Sequence, residues 1–128
     1  MGQGGTLTVE QATPLTFDAL LQAPEDTLVV VYFWGPECPN CEIFARDLPG
    51  LIDELAGERI RLVKVNAYEH TDLARRFALF GIPGFVLFKG GRKLGMMRQY
   101  YGREYWRRVL SEALTGAPPA TRAATGLP

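Results

Sequence analysis

Seven consecutive apolar or aromatic residues, LVVVYFW from Leu28 to Trp34, interrupt a chain that otherwise mixes apolar and polar positions every two or three residues. A run of this length without alternation predicts a strand covered on both faces, the middle strand of a sheet with helices above and below. Gly35-Pro36 then forces a turn. From Cys38 the apolar positions Cys41, Phe44, Ala45, Leu48, Leu51, Ile52 and Leu55 recur at helical spacing, with Glu42, Arg46, Asp47, Asp53 and Glu54 between them. This is a helix that opens at the cysteines. Pro49 falls inside it, removing a backbone donor and crowding the carbonyl of Ala45, so a kink or break near Leu48 is expected.

Further along, Ile60 to Val65 reads as a second buried strand, Thr71 to Phe80 as a helix packing Leu73, Ala74 and Phe77, and Phe85 to Phe88 as a third strand. Gly90-Gly91 is the hairpin turn into a fourth strand, Leu94 to Tyr100. Trp106, Val109, Leu110, Ala113 and Leu114 stripe a last helix. Ahead of the central run, Pro14-Leu15-Thr16 with Phe17, Leu20 and Leu21 predicts a short helix capped by Thr16. From Leu28 the order is strand-helix-strand-helix-strand-strand-helix, an α/β chain.

The two ends lack such patterning. MGQGGTLTVE is read as a flexible glycine-rich tail, and GAPPATRAATGLP, residues 116–128, as a disordered one. The folded unit is therefore residues 1–115, a single domain of common size in a chain of 128. The first residues have neither the positive start nor the apolar middle of a secretory signal, which assigns the chain to the cytoplasm.

With 47% apolar and 22% charged residues the composition is that of an ordinary globule. Seven apolar residues fall far short of the roughly 20 that cross a bilayer, so no membrane span is expected. Zero net charge argues against general nucleic-acid binding. Residues 1 to 60 nevertheless carry ten acids against Arg46 and Arg59, whereas residues 89 to 112 carry seven basic residues against Glu104 and Glu112. Solvated faces of one fold account for this, with a basic docking surface as the rival.

The only two cysteines, Cys38 and Cys41, stand three apart where the helix opens. Residues i and i+3 share a helical face, so the two sulfurs can reach each other. The first turn of a helix also leaves backbone donors free, and its partial positive charge favours a thiolate at Cys38. Competing readings are a structural zinc site, two core cysteines and a purely structural disulfide. Zinc normally takes four ligands, and only His70 and scattered acids could complete them. Cys41 fits the apolar stripe but Cys38 does not, and a bridge closing so short a loop gains little entropy. Redox chemistry is the leading reading, because C-x-x-C beside a strand-to-helix turn is specific in context.

From about Thr16 to Leu114 the chain resembles the thioredoxin family: LVVVYFW, the CPNC motif opening a helix, VKVNAYEH, and GIPGFVLFKGGRKLG follow in the family's order and spacing. The resemblance implies a three-layer fold, a central mixed sheet flanked by helices. It implies a thiol-disulfide oxidoreductase with Cys38 attacking and Cys41 resolving, needing no metal or bound cofactor. Pro83, after Gly81-Ile82, falls on the family's cis-proline. Implied substrate contacts are Trp34, Glu37, Pro39, Asn40, Ile82, Pro83 and Gly84. Implied partners are disulfide-containing proteins and a thiol or flavoprotein reductant, the chain itself acting as a monomer. A redox-inactive binding module on the same fold and a zinc-bridged dimer are the alternatives.

The departures from the family pattern bear on mechanism. Where the family has a buried aspartate, this chain has Tyr32, a poor base, which leaves water, Glu37 and Lys64 to move the second thiol's proton. Lys64, without that aspartate, is expected to turn outward. Glu37 and Glu42 beside the cysteines oppose thiolate formation, whereas Pro39 resembles strongly oxidising relatives; the reading is that the acids hold their own and the couple acts as a reductant. Gly84 stands in place of threonine, and Tyr100-Tyr101 replace a glycine near the substrate loop. Different substrates are expected.

Overall fold

The apolar run is the middle strand of a five-stranded sheet in the computed structural model, which describes residues 7–116. The strands are β1 Leu7–Gln11, β2 Leu28–Trp34, β3 Ile60–Asn66, β4 Gly84–Lys89 and β5 Arg92–Met97, ordered β1-β3-β2-β4-β5 across the sheet. β1 and β2 both lie parallel to β3, while β4 is antiparallel to β2 and β5 antiparallel to β4. The helices of the described residues are α1 Phe17–Leu21, α2 Pro39–Glu54, α3 Thr71–Arg76 and α4 Arg103–Leu114.

Successive side chains of a strand point to opposite faces, and β2 shows why its sequence does not alternate. Leu28, Val30 and Tyr32 join Phe44 and Leu51 of α2, Leu55 at its C-cap, and Trp106, Leu110 and Ala113 of α4 in one core. Val29, Val31 and Phe33 join Phe17 and Leu21 of α1 and Leu73 and Ala74 of α3 in the other. Three layers result, with both faces of β2 dry. Each fully buried aliphatic or aromatic side chain contributes about 1.5–3 kcal/mol, so the two cores carry most of the fold's stability.

Four elements differ from the sequence expectations. Leu7–Gln11, expected in a glycine-rich tail, is an edge strand paired with β3 from Leu7 opposite Ile60 to Gln11 opposite Lys64. Its residues from Thr8 onward are exposed, so backbone pairing defines it and hydropathy does not. α2 runs unbroken through Pro49. Phe44 on one side of that proline and Leu51 and Leu55 on the other are buried, and three such side chains outweigh the roughly 3 kcal/mol of an interior proline.

α3 stops at Arg76, well before Phe80, because Ala78 adopts a left-handed φ of 54° and turns the chain. Leu79 is thereby buried at 5% exposure, and Phe80 is left at 87%. β5 begins at Arg92, directly opposite Lys89, since Gly90 and Gly91 with φ of 60° and 77° make a two-residue hairpin. Tyr100 is not in that strand. It packs into the α2/α4 core, its hydroxyl donating to Asp47 Oδ2 at 2.6 Å. Thr16 does precede α1, but its side chain caps no helical N–H; Thr16 Oγ1 accepts from the backbone of Thr13 instead. The reading of residues 117–128 as a tail lies outside the described residues, as do residues 1–6 of the other end.

Candidate active site

β2 ends at Trp34, and the buried Gly35 starts the turn into α2. A Cβ on Gly35 would stand 2.8 Å from Ile82 Cδ1 and 3.3 Å from the Tyr68 ring, so the absence of a side chain is what lets Ile82 close on this turn. Glu37 follows with φ 54°, a left-handed conformation that costs a residue with a Cβ about 1 kcal/mol. That twist delivers Cys38 to the N-cap of α2, with Pro39 as the first helical residue.

An N-cap side chain normally offers an oxygen to a free N–H of the first turn. Here the acceptor is sulfur: the Cys41 N–H donates to Cys38 Sγ at 3.2 Å. The same donor and the positive end of α2 would meet a thiolate at Cys38. The two cysteines are joined by a disulfide, with their Cα atoms 5.2 Å apart. Exposure does not distinguish them, for they are 7% and 5% exposed. Position does: Cys38 caps the helix and Cys41 lies one turn inside it.

Tyr32 of β2 is 4% exposed, with its ring stacked on Phe85 at 5.3 Å and edge-on to Phe44 of α2 at 4.7 Å. Burial pushes its pKa up to about 12, so the phenol is neutral at physiological pH and takes no proton from a thiol. Lys64, opposite Tyr32 on β3, does not turn outward. It is half-buried with Nζ 5.3 Å above the Trp34 ring, a cation–π arrangement. Trp34 Nε1 is buried without a hydrogen bond, so packing and Lys64 hold the indole. No ion pair joins Lys64 to Glu37 among the described residues. Glu37, Pro39, Asn40 and Glu42 are all exposed around the sulfurs.

The other wall comes from the segment entering β4. The Ile82–Pro83 peptide bond is cis, Pro83 and Gly84 are buried, and Gly84 pairs with Phe33 of β2. This register sets the corner beside the strand end that releases the cysteine turn. A Cβ on Gly84 would meet Leu79 Cδ2 at 3.0 Å, so the glycine gives Leu79 the space that a side chain would fill. Arg98 Nη1 donates to the carbonyl of Ala78 at 3.0 Å and ties the end of β5 to the same segment.

Tyr68, Phe80 and Arg98 were not singled out by sequence. Local pattern gave no signal for them: Gly81 and Pro83 mark a helix end near Phe80 and not one at Arg76. His70, the remaining ligand type that zinc would favour, stands at the N-cap of α3. Among the described residues no group of three or more histidine, cysteine or acidic side chains is placed to hold a metal ion. None of their helices is long and apolar enough to cross a membrane.

The thioredoxin family model matches residues 8–111. Glutaredoxin-3 of Mus musculus is 27% identical over 123 residues, covering 94% of this chain and 35% of that protein. Thioredoxin 1 of a Nostoc species is 36% identical over 75 residues, 56% of this chain and 66% of the relative. Thioredoxin of a Synechocystis species is 32% identical over 91 residues, 67% of this chain and 82% of the relative. The chain thus spans about a third of the mouse protein and just under two thirds of the Nostoc one.

Proposed function

The chain belongs to the thioredoxin family, and from that premise we propose that it is a protein-disulfide oxidoreductase that reduces or exchanges disulfides of other proteins through Cys38 and Cys41. The observation that carries this is the cap: a cysteine Sγ occupies the acceptor position of the α2 N-terminus, bonded to the second cysteine of the pair.

In the reduced protein, Cys38 as thiolate attacks one sulfur of the partner's disulfide. An S–S bond forms between Cys38 and the partner, the partner's own S–S bond breaks, and its other sulfur leaves as a thiolate that takes up a proton. Cys41 then loses its proton and attacks Cys38 Sγ, forming the intramolecular disulfide and releasing the partner's second thiol. Two electrons have passed to the partner. A thiol or flavoprotein reductant returns them. Since Tyr32 is neutral and buried, the Cys41 proton leaves by the solvent side, through water or the exposed Glu37.

Trp34, Pro39, Asn40, Ile82, Pro83 and Gly84 form the surface that the partner meets in this reading, with the folded domain ending near residue 115. It acts as a monomer in the cytoplasm, a placement supported by the sequence pattern alone. Insulin reduction, followed as turbidity with dithiothreitol or a thioredoxin reductase as electron source, tests the activity. Acceleration over the reductant alone supports it; none with either source would favour a redox-inactive binding module.

A further inference from the structure

An open groove of about 260 Å³ runs between α3 and the 79–82 segment, lined by Tyr68, Ala74, Arg75, Leu79, Phe80 and Ile82 among others. Its lining is mainly apolar, and two aromatic residues on its rim are exposed, Tyr68 at 61% and Phe80 at 87%. Solvent-exposed aromatics on a rim are unfavourable in the free protein and mark a surface that something else covers. The volume is below the roughly 300–1,000 Å³ of small-molecule pockets and suits one large side chain. Ile82 and Tyr68 line this groove and also close on Gly35, three residues before Cys38, so the groove adjoins the turn that carries the cysteines.

Leu79 is buried against Gly84, and Arg98 holds the carbonyl of Ala78, so Phe80 is presented by a segment fixed on both sides. The turn and helix start that carry the cysteines are acidic. Glu37 and Glu42 are exposed, and neither carboxylate has an ion-pair or hydrogen-bond partner among the described residues. The cation nearest in sequence, Arg46, is one turn further along α2.

We propose that the partner presents its disulfide on a segment that places a bulky apolar side chain in the Tyr68–Phe80 groove and a lysine or arginine beside the attacked sulfur, facing Glu37 and Glu42. This deepens the oxidoreductase reading and rests on it. The groove selects by burial, since a large apolar side chain loses its water there. The acids select by Coulomb attraction, each unit charge at a few ångströms changing affinity about fivefold in water-like surroundings and less at high salt.

The test uses the full chain with dithiothreitol as electron source and four disulfide-bridged peptides that combine phenylalanine or serine at the apolar position with lysine or glutamate next to the cysteine. The phenylalanine-lysine peptide should give the highest kcat/KM. Serine should lose roughly tenfold, mostly in KM. Glutamate should lose about as much at low salt and little at 0.5 M. Phe80→Ser should erase the first preference only, and Glu37→Gln with Glu42→Gln the second only, circular dichroism confirming that each variant folds. Equal kcat/KM for all four peptides, or preferences that survive these variants, would overturn the inference while leaving the oxidoreductase function intact. Turnover of none of the peptides, together with no insulin reduction, would overturn both.

Discussion

On one flank of the disulfide, residues 37–42 are held by the backbone of α2: an N-cap sulfur, a proline at the first helical position, and exposed carboxylates on either side. On the other flank, residues 78–84 have no regular structure until Gly84. Side-chain fit places them: Leu79 in the space left by Gly84, Ile82 in the space left by Gly35, Arg98 on the carbonyl of Ala78. The helical flank carries the chemistry and can be specified by a few adjacent residues. In the proposed reaction the loop flank carries recognition, and its shape depends on Gly35 and Arg98, which are distant in sequence, as well as on Leu79 and Gly84 of the segment itself.

The comparison breaks most severely at the sulfurs. Cys38→Ser should reduce insulin reduction by at least ~10³-fold, and Cys41→Ser should instead trap mixed disulfides with partner proteins, visible on a non-reducing gel. Trapping by Cys38→Ser rather than by Cys41→Ser would reverse the assigned roles.

Next in size is the loop flank. Gly84→Val puts a Cβ 3.0–3.1 Å from the methyl groups of the buried Leu79 and adds two methyls beyond it, and should destabilise by roughly 1–3 kcal/mol in urea unfolding. Adding Leu79→Ala should recover part of that loss, since it removes the obstructing atoms. Additive losses in the double variant would mean that the two side chains do not share that space.

The aromatic floor under the helical flank yields a pH prediction. With the native pKa of Tyr32 raised to about 12 from 10, its neutral form is favoured by folding. Its contribution is complete below about pH 10 and is lost as pH rises through 12. Tyr32→Phe should therefore flatten the alkaline limb of stability, keeping about 2 kcal/mol near pH 12 that the native chain loses. Tyr100 is also raised, by burial first and by its bond to Asp47, so part of the limb remains. Identical alkaline limbs for the two proteins would remove Tyr32 from this role.

The smallest effect sharpens the helical flank. Neutralising its carboxylates as Glu37→Gln and Glu42→Gln should stabilise the Cys38 thiolate by about 1 kcal/mol and make the couple more oxidising by about 20–30 mV in glutathione equilibration. An unchanged potential would leave Pro39 and the helix terminus to set the poise.

LVVVYFW, CPNC, the Leu51–Leu55 stripe and Gly90-Gly91 were legible because each is a local pattern whose physics acts within a few residues: two-sided burial, a helix start, a helical period, a tight turn. β1 was not, because an edge strand with exposed side chains exists through hydrogen bonds to β3, fifty residues away. Pro49 predicted a break by local rules, and the buried Phe44, Leu51 and Leu55 overrode it. Lys64 and Tyr32 could be named from sequence, but that Lys64 lies over Trp34 and that Tyr32 is desolvated among Phe44 and Phe85 follows from packing across strands. Sequence alone determined the sheet's middle, the helix that opens at the cysteines and the identity of the reactive pair. The end of α3, the outward Phe80 and the groove beside α3 were decided by tertiary structure, because a left-handed turn at Ala78 and a leucine fitted over a glycine are favourable only when β2, β4 and β5 are already side by side.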